Sequence, residues 1–191
     1  MTSTDLWEKL PVDRTNQDMR FFIDFIPRVS SSSAMLIVGT PDENHAGEAM
    51  MWTILGFPLT SVAIPVWIAG GSVLPAIVSM KDNFHAPLCD AALQLKKDCF
   101  PFTRGDGLNY INLSAVINQQ QTGYLQVLKP IESAIFEKAG QIKPESVSGQ
   151  ELKSNIQGFY KWLDAFMDES YNKLFNNTVP LGEGGARRAG D

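Results

Sequence analysis

The most constraining feature of this sequence is a long stretch without a charged residue, from Ala49 to Met80. It exceeds the roughly 20 apolar residues that a membrane-spanning helix requires. However, Pro58, Pro65 and Pro75 interrupt it together with several glycines, and such punctuation breaks a helix repeatedly. The apolar residues also come in short runs rich in Val, Ile and Trp. We therefore predict buried β-strands here, and no membrane span.

Three apolar runs, each followed by turn residues, predict adjacent strands of one antiparallel sheet. The runs are Ala34–Val38, Ala49–Leu55 and Ser61–Ala69. The first is apolar throughout and is therefore interpreted as a fully buried strand. Pro65 lies within the third and indicates a bulge or an edge position, because proline cannot donate to a strand ladder.

Two helices are predicted further along the chain. One spans Pro87 to Phe100, with apolar residues at helical spacing and two lysines in its last turn. The other begins with the capping-box pair Ser148 and Glu151. Its apolar stripe comprises Leu152, Ile156, Phe159, Leu163, Phe166 and Leu174. Because so wide a stripe needs a partner surface, we predict that this helix packs on the rest of the chain.

The region between these helices is ambiguous in sequence. Ala115–Ile117 and Tyr124–Leu128 fit the two strands of a hairpin closed by residues 118–123. Pro130 then fits the first position of a following helix that ends at Gly140. The polar, Gly-rich residues 177–191 are predicted to be a disordered tail, which leaves residues 1–176 as the folded part.

Composition argues against several classes of function. The chain has 191 residues and a formal net charge of −5, with basic residues clustered only in short pairs. Binding of nucleic acid requires clustered Lys and Arg, so no nucleic-acid partner is expected. The sequence has no phosphate-binding glycine loop and no Cys/His cluster with metal-ligand spacing, so we expect neither a cofactor nor a metal. The N-terminus shows no signal-peptide pattern, and the compartment stays undetermined.

Candidates for nucleophilic chemistry are few. Cys89 and Cys99 lie too far apart along one predicted helix to form a disulfide and are interpreted as free thiols. His45 and His85 are interpreted as ordinary surface or helix-entry residues, which leaves no base beside a nucleophile. The serines after Arg28 have two interpretations: a polar strand entry, or a pocket rim whose hydroxyls and backbone N–H groups face a substrate anion.

A series of short motifs carries a resemblance to a known family. In chain order they are Arg28-x-x-Ser-Ser-Ser-Ala34, Met51-Trp-Thr-x-Leu-Gly-x-Pro58, Ser61-Val-x-x-Pro-x-Trp67, Ala86-Pro-Leu-Cys89, Tyr110-x-Asn112-Leu, and Thr122-Gly-Tyr-Leu-Gln-x-Leu128 followed by Glu132. Together they resemble the C-terminal half of bacterial proteins similar to isopenicillin-N acyltransferase and the linear-amide, carcinine-type hydrolases. These are N-terminal-nucleophile hydrolases, and the resemblance covers roughly residues 4–175.

The resemblance implies an α+β fold that is part of a four-layer αββα sandwich, with two packed antiparallel sheets and C-terminal helices. It also implies a cysteine nucleophile, exposed by self-cleavage, whose own α-amino group acts as the base. Neither cysteine of this chain matches that nucleophile, so we expect no catalytic residue here and no activity from the chain alone. The substrate-pocket candidates are Arg28, Ser31, Ser32, Trp52 and Trp67.

Three hypotheses for the function follow. The first is a segment of an amide hydrolase or acyltransferase, whose partners are the missing N-terminal half of the domain and a small-molecule amide substrate. The second is a non-catalytic binding or interaction module of the same fold, and the third is a membrane-associated protein built on the uncharged stretch. Under the first, one sheet face lacks its partner layer. We then expect Trp52, Ile54, Val66 and Ile68 to be exposed and the isolated chain to associate.

Overall fold

A computed structural model describes residues 9–23, 25–40, 42–80, 84–143 and 148–177. The strands are β1 (Met19–Phe21), β2 (Ser33–Val38), β3 (Met50–Leu55), β4 (Ile64–Trp67) and β5 (Tyr110–Asn112). The helices are α1 (Pro87–Cys99), α2 (Leu113–Val116), α3 (Tyr124–Ala139) and α4 (Gly149–Asn177). This part of the chain is a mixed α+β fold with small antiparallel sheets, as the sequence predicted. Asn177 ends α4, and the rest of the predicted disordered tail lies outside the described residues.

The main sheet confirms the prediction of three adjacent antiparallel strands. Its order is β2–β3–β4, and a separate two-stranded sheet pairs β1 with β5. Observed β4 is shorter than the predicted run, and it places Pro65 on an edge of the sheet. An edge tolerates proline because no neighbouring strand needs its missing N–H.

The strand register assigns side chains to the two faces of the sheet. Residues that lie opposite each other on neighbouring antiparallel strands share a face. Trp52 lies opposite Pro65 and Trp67 lies opposite Met50, so the two tryptophans share one face. The other face carries Thr53, which is buried.

The prediction that the first apolar run is fully buried is wrong. Met35, Leu36 and Ile37 of β2 are 65%, 64% and 76% exposed. In the described part of the chain, β2 packs extensively only on β3, whereas helices pack on β3 and on the turn after β4. The apolar side chains of β2 are therefore exposed. The expected exposure of Trp52, Ile54 and Val66 is wrong, because these side chains are half-buried, whereas Ile68 is exposed as expected.

The uncharged stretch folds as strands and short turns. Besides β3 and β4 it contains 3-10 turns at Pro58–Thr60, Ile68–Gly70 and Ala76–Val78. Gly56 ends β3 with a positive φ of 81°, and a Cβ there would lie 2.6 Å from the Ala92 side chain of α1. Only glycine allows both this backbone conformation and this approach to the helix. Within the described ranges, none of the helices combines the length and the apolar character that a membrane crossing needs.

The predicted hairpin over residues 115–128 is wrong, because Tyr124 begins α3. The buried positions Tyr124, Leu128, Ile135 and Ala139 have helical spacing, which the short window 124–128 does not reveal. The Gln126 side chain closes the preceding loop, since its Oε1 accepts hydrogen bonds from the N–H groups of residues 118 and 123 at 3.0 and 3.2 Å. The helix still ends where predicted, with Gly140 as its C-cap.

The last predicted helix is confirmed as α4, and its stripe is docked. The Glu151 N–H donates to the Ser148 side chain at 3.3 Å, as the capping pattern predicted. The buried side chains of α4 are Leu152, Ile156, Phe159, Tyr160, Leu163, Met167 and Tyr171. Phe166, which belongs to the predicted stripe, is only half-buried and stacks on Trp162 at a centroid distance of 4.9 Å.

Candidate functional site

Two neighbouring apolar grooves open on the sheet face that carries Trp52 and Trp67. The wide groove has a volume of about 490 Å³ and is lined by Val38, Gly39, Thr40, Glu48, Met50, Trp52, Trp67, Phe136, Ala139, Gly140 and Ile142. The narrow groove has a volume of about 320 Å³ and is lined by Ala34, Met35, Leu36, Trp52, Ile54, Ala63, Glu132 and Phe136. Trp52 and Phe136 line both grooves and therefore form a shared aromatic wall.

This wall joins the sheet to α3. The Trp52 ring of β3 stacks on the Phe136 ring of α3, with centroids 4.1 Å apart and planes inclined by 26°. Trp67 is held by α4 instead, because its backbone N–H donates to the Tyr160 hydroxyl at 3.0 Å and its ring meets Phe159 edge-on at 5.4 Å. The aromatic surfaces of the grooves are thus positioned by two helices that follow the sheet in sequence.

Each groove contains one carboxylate. Glu48 lines the wide groove and Glu132 lines the narrow groove, and the lining of neither includes Lys, Arg or His. Glu132 is oriented by the sheet, since its Oε1 accepts a hydrogen bond from the Ala63 N–H at 2.9 Å. An apolar pocket with a single oriented polar group is typical of small-molecule sites.

The structure brings together two of the five sequence-predicted pocket residues. Trp52 and Trp67 meet in the wide groove, but Arg28, Ser31 and Ser32 line neither groove. Arg28 and Ser31 form a turn, in which the Ser31 N–H donates to the Arg28 carbonyl and the Arg28 N–H donates to the Ser31 hydroxyl, each at 2.9 Å. The Ser32 carbonyl accepts the Gly56 N–H at 2.8 Å and extends the β2–β3 ladder. A role for these three residues in a substrate pocket stays a prediction.

Neither cysteine has the environment of an activated nucleophile. Burial raises the pKa of the partly buried Cys89 thiol, and the neighbouring Asp90 charge raises it further. Cys99 is buried, and burial raises the pKa of its thiol far above the ordinary range. His85 Nδ1 lies 3.0 Å from Asp90 Oδ1. Both cysteines are therefore protonated at neutral pH, whereas a reactive cysteine needs its thiolate form.

A polar cluster that the sequence did not predict joins the N-terminal segment to α1 and α3. Arg14 Nη2 donates to Asp98 Oδ2 at 3.1 Å and to the Tyr124 hydroxyl at 2.6 Å, and the Tyr124 hydroxyl donates to Asp98. Burial and the bond to Asp98 raise the pKa of Tyr124, so its phenol stays a donor. These residues lie far apart in sequence and share no motif. The cluster links elements of the fold and lines neither groove.

Comparisons with known proteins found no match, so the function has to be inferred from the contacts within the chain. No protein-family model matches the chain, and neither the curated proteins nor the solved structures include a significant match. No group of three or more His, Cys, Asp and Glu side chains in the described ranges is arranged to hold a metal ion. The fold and the two grooves define an α+β domain with one grooved, largely apolar sheet face.

Proposed function

We propose that the chain is a non-catalytic binding module for a small, largely apolar ligand that carries a cationic or N–H-donating group. The observation that carries this proposal is the pair of apolar grooves around the Trp52–Phe136 wall, each with one carboxylate and no basic side chain. A carboxylate accepts hydrogen bonds and attracts a cation, and the face of an aromatic ring does the same through its quadrupole. An anionic ligand would meet a carboxylate of like charge in either groove.

Contacts that hold the side chains of the groove walls in place support a preformed binding site. The Glu132 carboxylate is held by the Ala63 N–H, and the Trp67 ring is held by its edge-on contact with Phe159. Such contacts limit side-chain motion before a ligand arrives, which lowers the entropic cost of binding.

Two probes of similar size test the charge preference. We expect 2-phenylethylamine to shift the indole N–H resonances of Trp52 and Trp67 in an NMR titration, and 3-phenylpropionate to bind more weakly. Glu48→Gln should weaken amine binding by roughly two- to fivefold, the range of a partly solvated ion pair. Equal binding of the two probes, or amine binding that is unchanged in Glu48→Gln, would contradict the proposed ligand class.

A matched pair of phenylalanine variants tests the location of the site. Phe136→Ala removes half of the shared wall, and Phe102→Ala removes a ring of similar exposure outside both grooves; the two side chains are 45% and 47% exposed. We expect the first variant to lose most of the amine binding and the second to retain it. Similar binding losses in both would place the probe elsewhere.

A second candidate function is a segment of an amide hydrolase or acyltransferase within a four-layer αββα sandwich. It is favoured by one observation: Trp52 and Trp67, which come from two different motifs of the family resemblance, line the same groove. Under this proposal the chain contributes the pocket wall, a small-molecule amide binds there, and the missing N-terminal half supplies the nucleophilic cysteine.

Both candidates share one expected result, which is that the purified chain does not hydrolyse linear amides. The reason is that burial raises the pKa of both thiols and keeps them in the protonated, unreactive form. The measurement is amine release from a panel of linear amides, with Cys89→Ala as the matched variant because Cys89 is the more accessible thiol. Turnover by the unmodified chain that Cys89→Ala abolishes would show that this assignment is wrong.

A further inference from the structure

The outer edge of β2 presents a regular set of backbone hydrogen-bonding groups. The Gly56 N–H donates to the Ser32 carbonyl at 2.8 Å, in line with the β2–β3 register. Polar groups of successive residues point to opposite sides of a strand in an antiparallel ladder. The N–H and C=O groups of residues 34, 36 and 38 therefore face β3, and those of Ser33, Met35 and Ile37 face outward. No strand among the described residues pairs with this edge.

A strand that pairs with this edge would meet apolar side chains of β2 on both faces of the sheet. The β2 sequence Ser-Ala-Met-Leu-Ile-Val has no charge, proline or bulge, and Met35, Leu36 and Ile37 are exposed although they alternate between the two faces. Natural edges are normally protected by charges, prolines or bulges, and β2 has none of these. A strand that pairs here needs apolar side chains on both of its faces. The β2 strand of a second copy is such a strand.

The geometry of a symmetric dimer selects one register. Two copies that pair antiparallel strands are related by a two-fold axis perpendicular to the sheet, so the central residue lies opposite itself. If that residue is Met35, Ser33 lies opposite Ile37 of the other copy, and all outward-facing groups form hydrogen-bonded pairs. If it is Leu36, the Ser33 groups have no partner within the six residues of β2. The Met35 register satisfies the edge completely.

We propose that two copies of this chain associate through β2, with Met35 at the two-fold axis, and form one continuous six-stranded sheet. This association goes beyond ligand binding in the grooves, and it uses the strand whose residues 34–36 also line the narrow groove. A six-residue edge is about 20 Å long and buries less than the roughly 1,200–2,000 Å² of a stable interface. The dimer is therefore weak and concentration-dependent.

The test combines sedimentation velocity with charge variants. The wild-type chain should show a monomer–dimer equilibrium. Met35→Lys places two like charges opposite each other at the axis and removes apolar burial, so it should weaken association by roughly tenfold or more. Ile68→Lys is the matched control, because Ile68 is 67% exposed and follows β4, the strand at the opposite edge of the sheet from β2. Association that persists in Met35→Lys, or a wild-type chain that stays monomeric at all accessible concentrations, would overturn the proposal.

Amide hydrogen exchange provides a second measurement that does not depend on a variant. Raising the protein concentration should slow exchange at the amides of Ser33, Met35 and Ile37, because these are the groups that the second copy pairs. The amides of residues 34 and 36 already face β3 and should change little. Protection of the outward amides that is independent of concentration would assign the edge to another segment of the same chain and overturn the dimer.

Discussion

Leu163→Ala should lower the free energy of unfolding by about 2–5 kcal/mol. Leu163 is fully buried on the docked face of α4, so its truncation removes apolar contacts and leaves a cavity in the core. The measurement is urea-induced unfolding followed by both circular dichroism and tryptophan fluorescence. Coincident transitions by the two probes would justify a two-state analysis.

Phe166→Ala is the matched control on the same helix. The sequence pattern placed Phe166 within the buried stripe, but the side chain is only half-buried and packs on the partly exposed Trp162. Its truncation leaves a gap that water can fill. The loss in the free energy of unfolding should therefore be clearly smaller than for Leu163→Ala. Equal losses in the two variants would show that α4 does not dock through the face that carries Leu163.

Gly123→Ala should cost about 1–3 kcal/mol or more, because overpacking against backbone has little room to relax. A Cβ at Gly123 would lie 2.5 Å from the backbone nitrogen of Ile117, in the tight loop that leads from α2 into α3. The φ of Gly123 is −67°, so the expected cost arises from this contact and not from the backbone conformation. Thermal unfolding followed by circular dichroism measures it.

Gly140→Ala tests the same substitution at the other end of α3. Gly140 has a helical φ of −65°, and the nearest atom to an added Cβ lies 3.4 Å away. Alanine fits there and restricts the unfolded chain, so the variant should be neutral or more stable by up to about 1 kcal/mol. A Gly140→Ala variant as destabilised as Gly123→Ala would mean that glycine flexibility, and not close backbone packing, governs both positions.

The groove and the β2 edge are tested independently. Met35 lines the narrow groove, so Met35→Lys does not separate the two proposals. Ile37 lines neither groove and is 76% exposed, so Ile37→Lys should weaken association and leave amine binding intact. A two-fold axis perpendicular to the sheet leaves equivalent faces of the two copies on the same side. In a continuous six-stranded sheet, the wide grooves of the two copies would therefore open on one face, with their β2 strands next to each other.

The sequence alone determined the elements whose signals are local. The runs before and within the uncharged stretch have the length and composition of strands, and their order along the chain produced the β2–β3–β4 sheet. The capping pair Ser148 and Glu151 set the start of α4, and the spacing of its apolar residues set the face that docks. Each of these depends on residues within one or two turns, or within one strand.

Only the tertiary structure decided which of these surfaces are covered. An apolar run such as β2 has the same local pattern whether a helix packs on it or water reaches it, so its exposure was not predictable from its own residues. The grooves also needed long-range placement, because Phe136 reaches Trp52 from a helix that begins far downstream. Likewise the first turn of α3 was interpreted as a strand, because residues 124–128 are too short a window to show the helical spacing of the buried side chains of α3. Which side chains are buried, and which of them come into contact, depends on the whole folded chain. A local pattern predicts burial only where one face of an element packs on a single neighbouring surface.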